Sequence, residues 1–152
     1  MPRLHERIET PLPLEDAFAF VADFANASAW DPGVASSERI GSGPVGVGAR
    51  YRLGIRRGER VVRMDYVVER IEQPHRVVLV GSGSGVLATD DIRFTHADGT
   101  TVIDYTADIR LTGLRRLATP LVLGTFARIA RDARDGMQQA LDRMAVTSGS
   151  RA

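Results

Sequence analysis

The chain contains no cysteine and no lysine. The first absence excludes a thiol nucleophile, a disulfide framework and every thiolate metal site. The second excludes Schiff-base chemistry and the phosphate-binding lysine of a P-loop. A charge excess is missing too: 20 basic against 19 acidic residues leave a formal net charge of +1, so nothing electrostatic draws the chain to nucleic acid or to an anionic membrane. No apolar run approaches the roughly 18 residues of a membrane span, and the opening stretch MPRLHERIETPLPLED is charged and broken by prolines where a signal peptide needs an apolar core. A cytoplasmic protein without stable membrane insertion, monomeric or homodimeric, is expected.

What is present suffices for one domain. The 152 residues can bury a single sizeable core but not two, and the expected domain spans 1–146 with 147–152 as a flexible tail. Leu4 to Thr10 alternates and reads as a first strand ended by Pro11 and Pro13. Pro13 then opens a short helix with Glu15 and Asp16 in its first turn and Leu14, Phe18 and Val21 at helical spacing. A second short helix is expected over Phe24 to Ala29, closed by Trp30, the single tryptophan, beside an Asp31-Pro32-Gly33 turn.

From Val34 to Leu111 the pattern turns to period two, with turn signals GSGPVG, RRGE, EQPH, GSGSG and HADGT between six expected strands. Tyr51, Leu53 and Ile55 share one face against Arg50, Arg52 and Arg56; Met64, Tyr66 and Val68 oppose Arg63, Asp65 and Glu69; Ile103, Tyr105, Ala107, Ile109 and Leu111 oppose Asp104, Thr106, Asp108 and Arg110. Such parity describes an antiparallel meander with one wet and one buried face. A long helix opening at Thr119-Pro120 follows. Its apolar seam is Val122, Phe126, Ile129, Ala133, Met137, Ala140 and Met144, and its wet face Arg131, Arg134, Asp135, Gln138, Asp142 and Arg143. The sheet's buried face is the surface of matching size for that seam.

Gly41-Ser42-Gly43-Pro44-Val45-Gly46 satisfies GxGxxG, but Pro44 lies inside it and a strand pattern follows where a dinucleotide-binding turn would open a helix. GSGSG reads as a flexible hairpin that could form a lip over a cavity mouth. The arginines of residues 50–63 share their outward face with Asp65 and Glu69, as a solvated mixed-charge surface does. His5, His75 and His96 show no metal-ligand spacing, so neither metal nor cofactor is expected. Inward parity does collect a few polar groups: Tyr51, Tyr66, Tyr105 and Asp90, in step with Ile92 and Phe94. The hydroxyls could orient a carbonyl or phenol. A carboxylate inside an apolar cavity would have its pKa raised toward that of a useful acid or base, making Asp90 the candidate catalytic residue, although a bulge at the strand start would turn Asp91 inward instead.

The element order, with the stretches FVADFANASAWDPGV, GPVGVGARYRL, VVERIEQPHRVVL and DGTTVIDYTADIRL and the closing helix, resembles the SRPBCC or START-like superfamily, and within it the polyketide cyclase/dehydrase group. That resemblance implies an α+β helix-grip fold: a seven-stranded antiparallel sheet wrapped around a long C-terminal helix, with two short helices after the first strand. It also implies an elongated apolar cavity between sheet and helix, with Trp30 as a wall of it; the competing reading of Trp30 is a core plug seating the short helices on the sheet. The expected cavity residues are Trp30, Tyr51, Leu53, Met64, Tyr66, Asp90, Ile92, Phe94, Tyr105, Val122, Phe126 and Ile129. The expected ligand is a hydrophobic, ring-containing small molecule, lipid-, polyketide- or quinone-like. A cyclase/dehydratase-type enzyme using the same cavity is the alternative, and a protein-interaction module is a third possibility.

Overall fold

In the computed structural model the described residues are 3–113 and 119–149, the side chains of 119–125 and 148–149 excepted. Strand β1 (Arg3–Thr10) is followed by helix α1 (Leu14–Ala22), a 3-10 turn (Phe24–Asn26) and a one-turn helix α2 (Ala27–Trp30). Six strands follow: β2 (Val34–Ile40), β3 (Arg50–Arg57), β4 (Arg60–Glu72), β5 (Arg76–Gly83), β6 (Val86–Ala97) and β7 (Thr100–Leu111). Helix α3 (Thr119–Gly149) closes the chain. All seven strands join one antiparallel sheet in the order β1-β7-β6-β5-β4-β3-β2, so the meander is closed by β1 returning to pair with β7. The expected fold class holds.

The alternating residues make the sheet two-sided, as parity requires. Tyr51 and Leu53 on β3, Met64, Tyr66 and Val68 on β4, Val77 and Leu79 on β5, and Ile92 and Phe94 on β6 are all buried. A register shift between Val68 and Arg70 leaves Glu69 and Arg70 both exposed before alternation resumes at Ile71, the signature of a bulge. Helix α1 lays Phe18 and Val21 on this face; Phe18 meets Phe94 edge-on at 5.0 Å between ring centroids. GSGSG is tighter than a loop. The strands run on through Gly83, leaving Ser84 (φ 52) and Gly85 (φ 75) as a two-residue turn, and Thr112 N–H donates to the Gly85 carbonyl at 2.8 Å. Two successive positive φ angles suit the right-handed twist of a hairpin.

Helix α3 departs from expectation in three ways. Its buried seam contains Phe126, Met137 and Ala140, and also Leu141, fully buried and absent from the expected set, whereas Ile129 is 42% exposed. Two residues assigned to the wet face turn toward β1: Arg134 Nε donates to the Arg7 carbonyl at 3.3 Å, and Gln138 Nε2 to the Glu9 carbonyl at 2.7 Å. Strand β1 is an edge strand with unpaired carbonyls on its outer side, and a helix with donors one turn apart covers them. Finally, the helix continues to Gly149, so residues 147–149, expected in the tail, are helical; 150–152 lie outside the described residues. No described helix is long and apolar enough to cross a membrane.

Candidate functional site

The inner face of the sheet is not uniformly filled. On β7, Ile103 is fully buried while Tyr105, Ala107 and Ile109 are only half-buried; on β1, Ile8 is buried while Leu4 and Glu6 are not. The transition marks where packed core gives way to a hollow of about 140 Å³ between the sheet, the Trp30-Asp31 corner and α3. Of the expected residues, Trp30, Tyr66, Asp90, Tyr105, Phe126 and Ile129 border it, with the half-exposed Ile129 toward its rim. Tyr51, Leu53, Met64, Ile92 and Phe94 share the inward face but are absent from its wall; they are packed in the core, Phe94 against Phe18 of α1 and Tyr51 against Phe24 of the 3-10 turn. Sharing a face is a matter of parity, whereas sharing the hollow also requires the right position along and across the sheet. Val122 lies among the residues whose side chains are not described.

The corner holding Trp30 is built by local hydrogen bonds. Asp31 N–H donates to the Ala27 carbonyl at 2.8 Å, ending α2, and Asp31 Oδ1 accepts from Gly33 N–H at 2.8 Å, a side-chain turn that suits Asp before Pro-Gly. This brings the chain hard against α3. A Cβ on Gly136 would overlap the Trp30 carbonyl oxygen and stand 2.8 Å from Pro32 Cδ, so only glycine lets the helix pass. Trp30 is 4% exposed. Its ring meets Tyr105 at 6.1 Å and Phe24 at 6.2 Å, and Phe24 in turn meets Tyr66 at 5.3 Å, all edge-on. The indole thus contacts the core through Phe24 and also borders the hollow, and its Nε1 is buried with no hydrogen-bond partner among the described residues.

Asp90 is the polar centre. No register shift interrupts β5, β6 or β7 where they pair, and Asp90 stands opposite Ala107, which places Tyr105 diagonally across the strand pair. The Tyr105 hydroxyl donates to Asp90 Oδ2 at 2.7 Å. Loss of water pushes the Asp90 carboxyl up to about 7; the Tyr105 bond opposes this and the neighbouring Asp31 charge adds to it. Asp31 is itself raised to about 6 by burial, against the Gly33 bond, with repulsion from Asp132 adding to the rise. Burial and the Asp90 and Asp31 charges hold the Tyr66 hydroxyl well above the usual phenol range, and burial with the Asp90 charge does the same for Tyr105.

Asp91 faces outward, where Arg76 grips it with bonds of 3.0 and 2.8 Å. Partial burial pushes its carboxyl up, but Arg76 and Arg93 outweigh this and leave it below the ordinary value. The sequence marks Asp31 only as part of a turn; a carboxylate directly after the lone Trp is the signal that could have placed it in the hollow. Among the described residues, no three His, Asp or Glu side chains gather as a metal site would need. Tyr51 belongs to a different cluster: burial, with the Asp23 charge adding and Arg39 opposing, raises its hydroxyl to about 12. The Arg39 guanidinium lies over its ring at 5.6 Å.

Comparison with known proteins agrees with this architecture. The chain is similar in structure to a START superfamily protein from Mycobacterium smegmatis (TM-score 0.78, 10% identity, covering 93% of this chain and 98% of that one). It is similar also to a protein from Thermus thermophilus (TM-score 0.75, 18% identity, 92% and 97%). A third match is the Zhui aromatase/cyclase from a Streptomyces species (TM-score 0.75, 11% identity, 95% and 93%). At these identities the likeness shows the fold alone. No curated protein matches the sequence. The family model described as polyketide cyclase / dehydrase and lipid transport matches residues 1–148. Nearly the whole domain is thus accounted for by one family, and the chain belongs to the polyketide cyclase/dehydrase and lipid-transport family.

Proposed function

We propose that the protein binds a small, hydrophobic, ring-containing molecule in the hollow between its sheet and α3. The observation that carries this reading is the hollow itself, about 140 Å³, bordered by Trp30, Tyr66, Tyr105 and Phe126. A guest covering these mostly apolar walls would recover burial free energy of about 25 cal/mol per Å² of apolar surface. Cavities of about 150 Å³ with apolar walls accept benzene-sized guests, and flat aromatic faces suit ring ligands. Because Trp30 is the only tryptophan, its emission reports on the site without ambiguity. Titration with benzene, indole and naphthoquinone is expected to shift or quench that emission saturably for at least one of them; an unchanged spectrum throughout would contradict the reading.

A second reading, catalysis of a cyclase/dehydratase type, is favoured by the carboxyl of Asp90, which stands near neutrality and touches the Tyr105 hydroxyl. An acid with a pKa near the working pH can both give and take a proton. Asp90→Asn is expected to abolish turnover of any substrate while preserving hydrophobe binding. Unchanged turnover in that variant would assign the chemistry elsewhere.

A further inference from the structure

The hollow has open acceptors and acids without a matching cation. Tyr66 stands opposite Gly81, where a Cβ would overlap the far end of its ring, so the phenol lies across β5 toward β6. Gly81 pairs with Ala88, and Asp90 is the next residue of β6 on that face. Tyr105 reaches Asp90 from the other flank and holds Oδ2. Asp90 Oδ1 and the Tyr66 hydroxyl remain, neither with a hydrogen-bond partner among the described residues and neither sealed as the Tyr51 hydroxyl is. Tyr66 and Asp90 are 8% and 6% exposed, and that surface opens on the hollow both border.

The surrounding charges do not balance. Asp31 from the corner and Glu6 from β1 join Asp90 in the wall, against one cation, Arg134 of α3. Arg134 is engaged elsewhere: Nε lies 3.8 Å from Glu6 and donates to the Arg7 carbonyl, and Nη1 stands 2.7 Å from Asp135. Among the described residues no basic group acts on Asp31 or Asp90, and Asp132 of α3 adds a further negative charge near Asp31. The Asp31 charge reaches Asp90, Tyr66 and Tyr105, and repulsion in an apolar site is poorly screened. Buried carboxylates are tolerated where they are paired. Because no three acidic or histidine side chains among the described residues gather as a metal needs, and the walls are mostly apolar, the counter-charge that fits is organic.

We infer that the ligand is a ring-bearing amine, bound as an ammonium that donates to Asp90 Oδ1 and the Tyr66 hydroxyl while its ring lies among Trp30, Phe126 and Ala107. This rests on the binding reading above and names its chemical class. A cation is also the charge that aromatic faces attract, and Asp31 adds attraction without contact. The pH dependence has a definite sign. Asp90, at about 7, and Asp31, at about 6, take up protons as pH falls, so the ammonium loses its counter-charges in acid.

Calorimetry with benzylamine, benzyl alcohol and toluene, which are nearly equal in size, tests this at about pH 8 and about pH 5, on either side of those two titrations. At the higher pH benzylamine is expected to bind about tenfold more tightly than benzyl alcohol, the margin of a charge-assisted hydrogen bond over a neutral one. At the lower pH the margin should shrink to about twofold or less, with toluene nearly unaffected. Asp90→Asn, which keeps an oxygen for Tyr105, should erase the margin at the higher pH, and Asp31→Asn should reduce it to about threefold. Benzylamine no tighter than benzyl alcohol at the higher pH overturns the inference, as does a full margin in Asp90→Asn; binding of the alcohol or toluene then leaves the binding reading standing. Failure of all three probes to bind removes the binding reading and this inference together.

Discussion

Asp90→Asn is expected to make the protein more stable at pH 8 by on the order of 3–4 kcal/mol, with the gain vanishing toward pH 4. The Asp90 carboxyl sits near 7 in the fold and near 4 in an unfolded chain. Between those values the folded state binds more protons than the unfolded one, so stability falls as pH rises. The contribution is whole below about pH 4 and is lost as pH passes through about 7. This is the reverse of a salt-bridged carboxylate such as Asp65, held below its ordinary value by its bond to Arg63. Asparagine keeps an oxygen for Tyr105 and removes the charge, so the variant should lack this part of the slope. For a chain of this size about 3 kcal/mol corresponds to roughly 6–12 °C in Tm. Thermal melts of both proteins from pH 4 to 8 measure it, and a gap independent of pH would mean that Asp90 is not desolvated. Asp31, raised to about 6, adds a smaller slope of the same sign, which Asp31→Asn should remove.

Gly136→Ala is expected to lower stability by about 2 kcal/mol or more. In an exposed helix the same change would gain about 1 kcal/mol, since glycine is the poorer helix former. Here the new methyl would have to displace the backbone of Trp30 and the ring of Pro32, and a backbone cannot rotate away as a side-chain tip can. The displaced residues carry the indole and Asp31, so ligand affinity should fall along with Tm, by about 4–8 °C at 2–4 °C per kcal/mol. Urea melts of the two proteins at one pH provide the check. A gain in stability for Gly136→Ala would show that α3 and the Trp30 corner do not meet as closely as described.

These two positions also show what could be read from the chain alone. The sheet was legible because alternation in Tyr51–Ile55, Met64–Val68 and Ile103–Leu111 is a direct consequence of strand geometry. It placed Asp90 inward as well, since no bulge intervenes in β5–β7, although the adjacent Asp91 kept that assignment open. Helical periodicity found most of the α3 seam but missed Leu141. It also set Arg134 and Gln138 in water, because nothing in a period of 3.6 announces the open carbonyls of an edge strand. Gly136 passed unremarked, although a glycine inside a helical pattern is the mark of a close approach. The limits of the hollow were beyond parity altogether. Tyr51 and Tyr105 carry the same inward signal, yet one is sealed under Phe24 and the other borders the hollow beside Asp90.

The site runs against stability in several respects at once. An unpacked volume, a carboxyl near neutrality with a second beside it, and an indole N–H without a partner among the described residues each cost free energy that a purely structural core would avoid. Concentration of such costs in one place, bordered by aromatic rings, is how a binding or reacting site differs from the rest of a fold. Farther along the same strands Phe94 and Ile103, with Phe18 of α1 against Phe94, are packed almost without exposure and carry no such costs.

Ligand binding in the hollow requires a guest to fit beside the tryptophan. A crystal structure of the protein saturated with bromobenzene, read by the anomalous signal of bromine, tests this most directly. A bromine peak is expected inside the hollow, within van der Waals reach of Trp30, Tyr105 and Phe126. A map without bromine there, with side chains meeting across the space between Phe126 and the sheet, would contradict it.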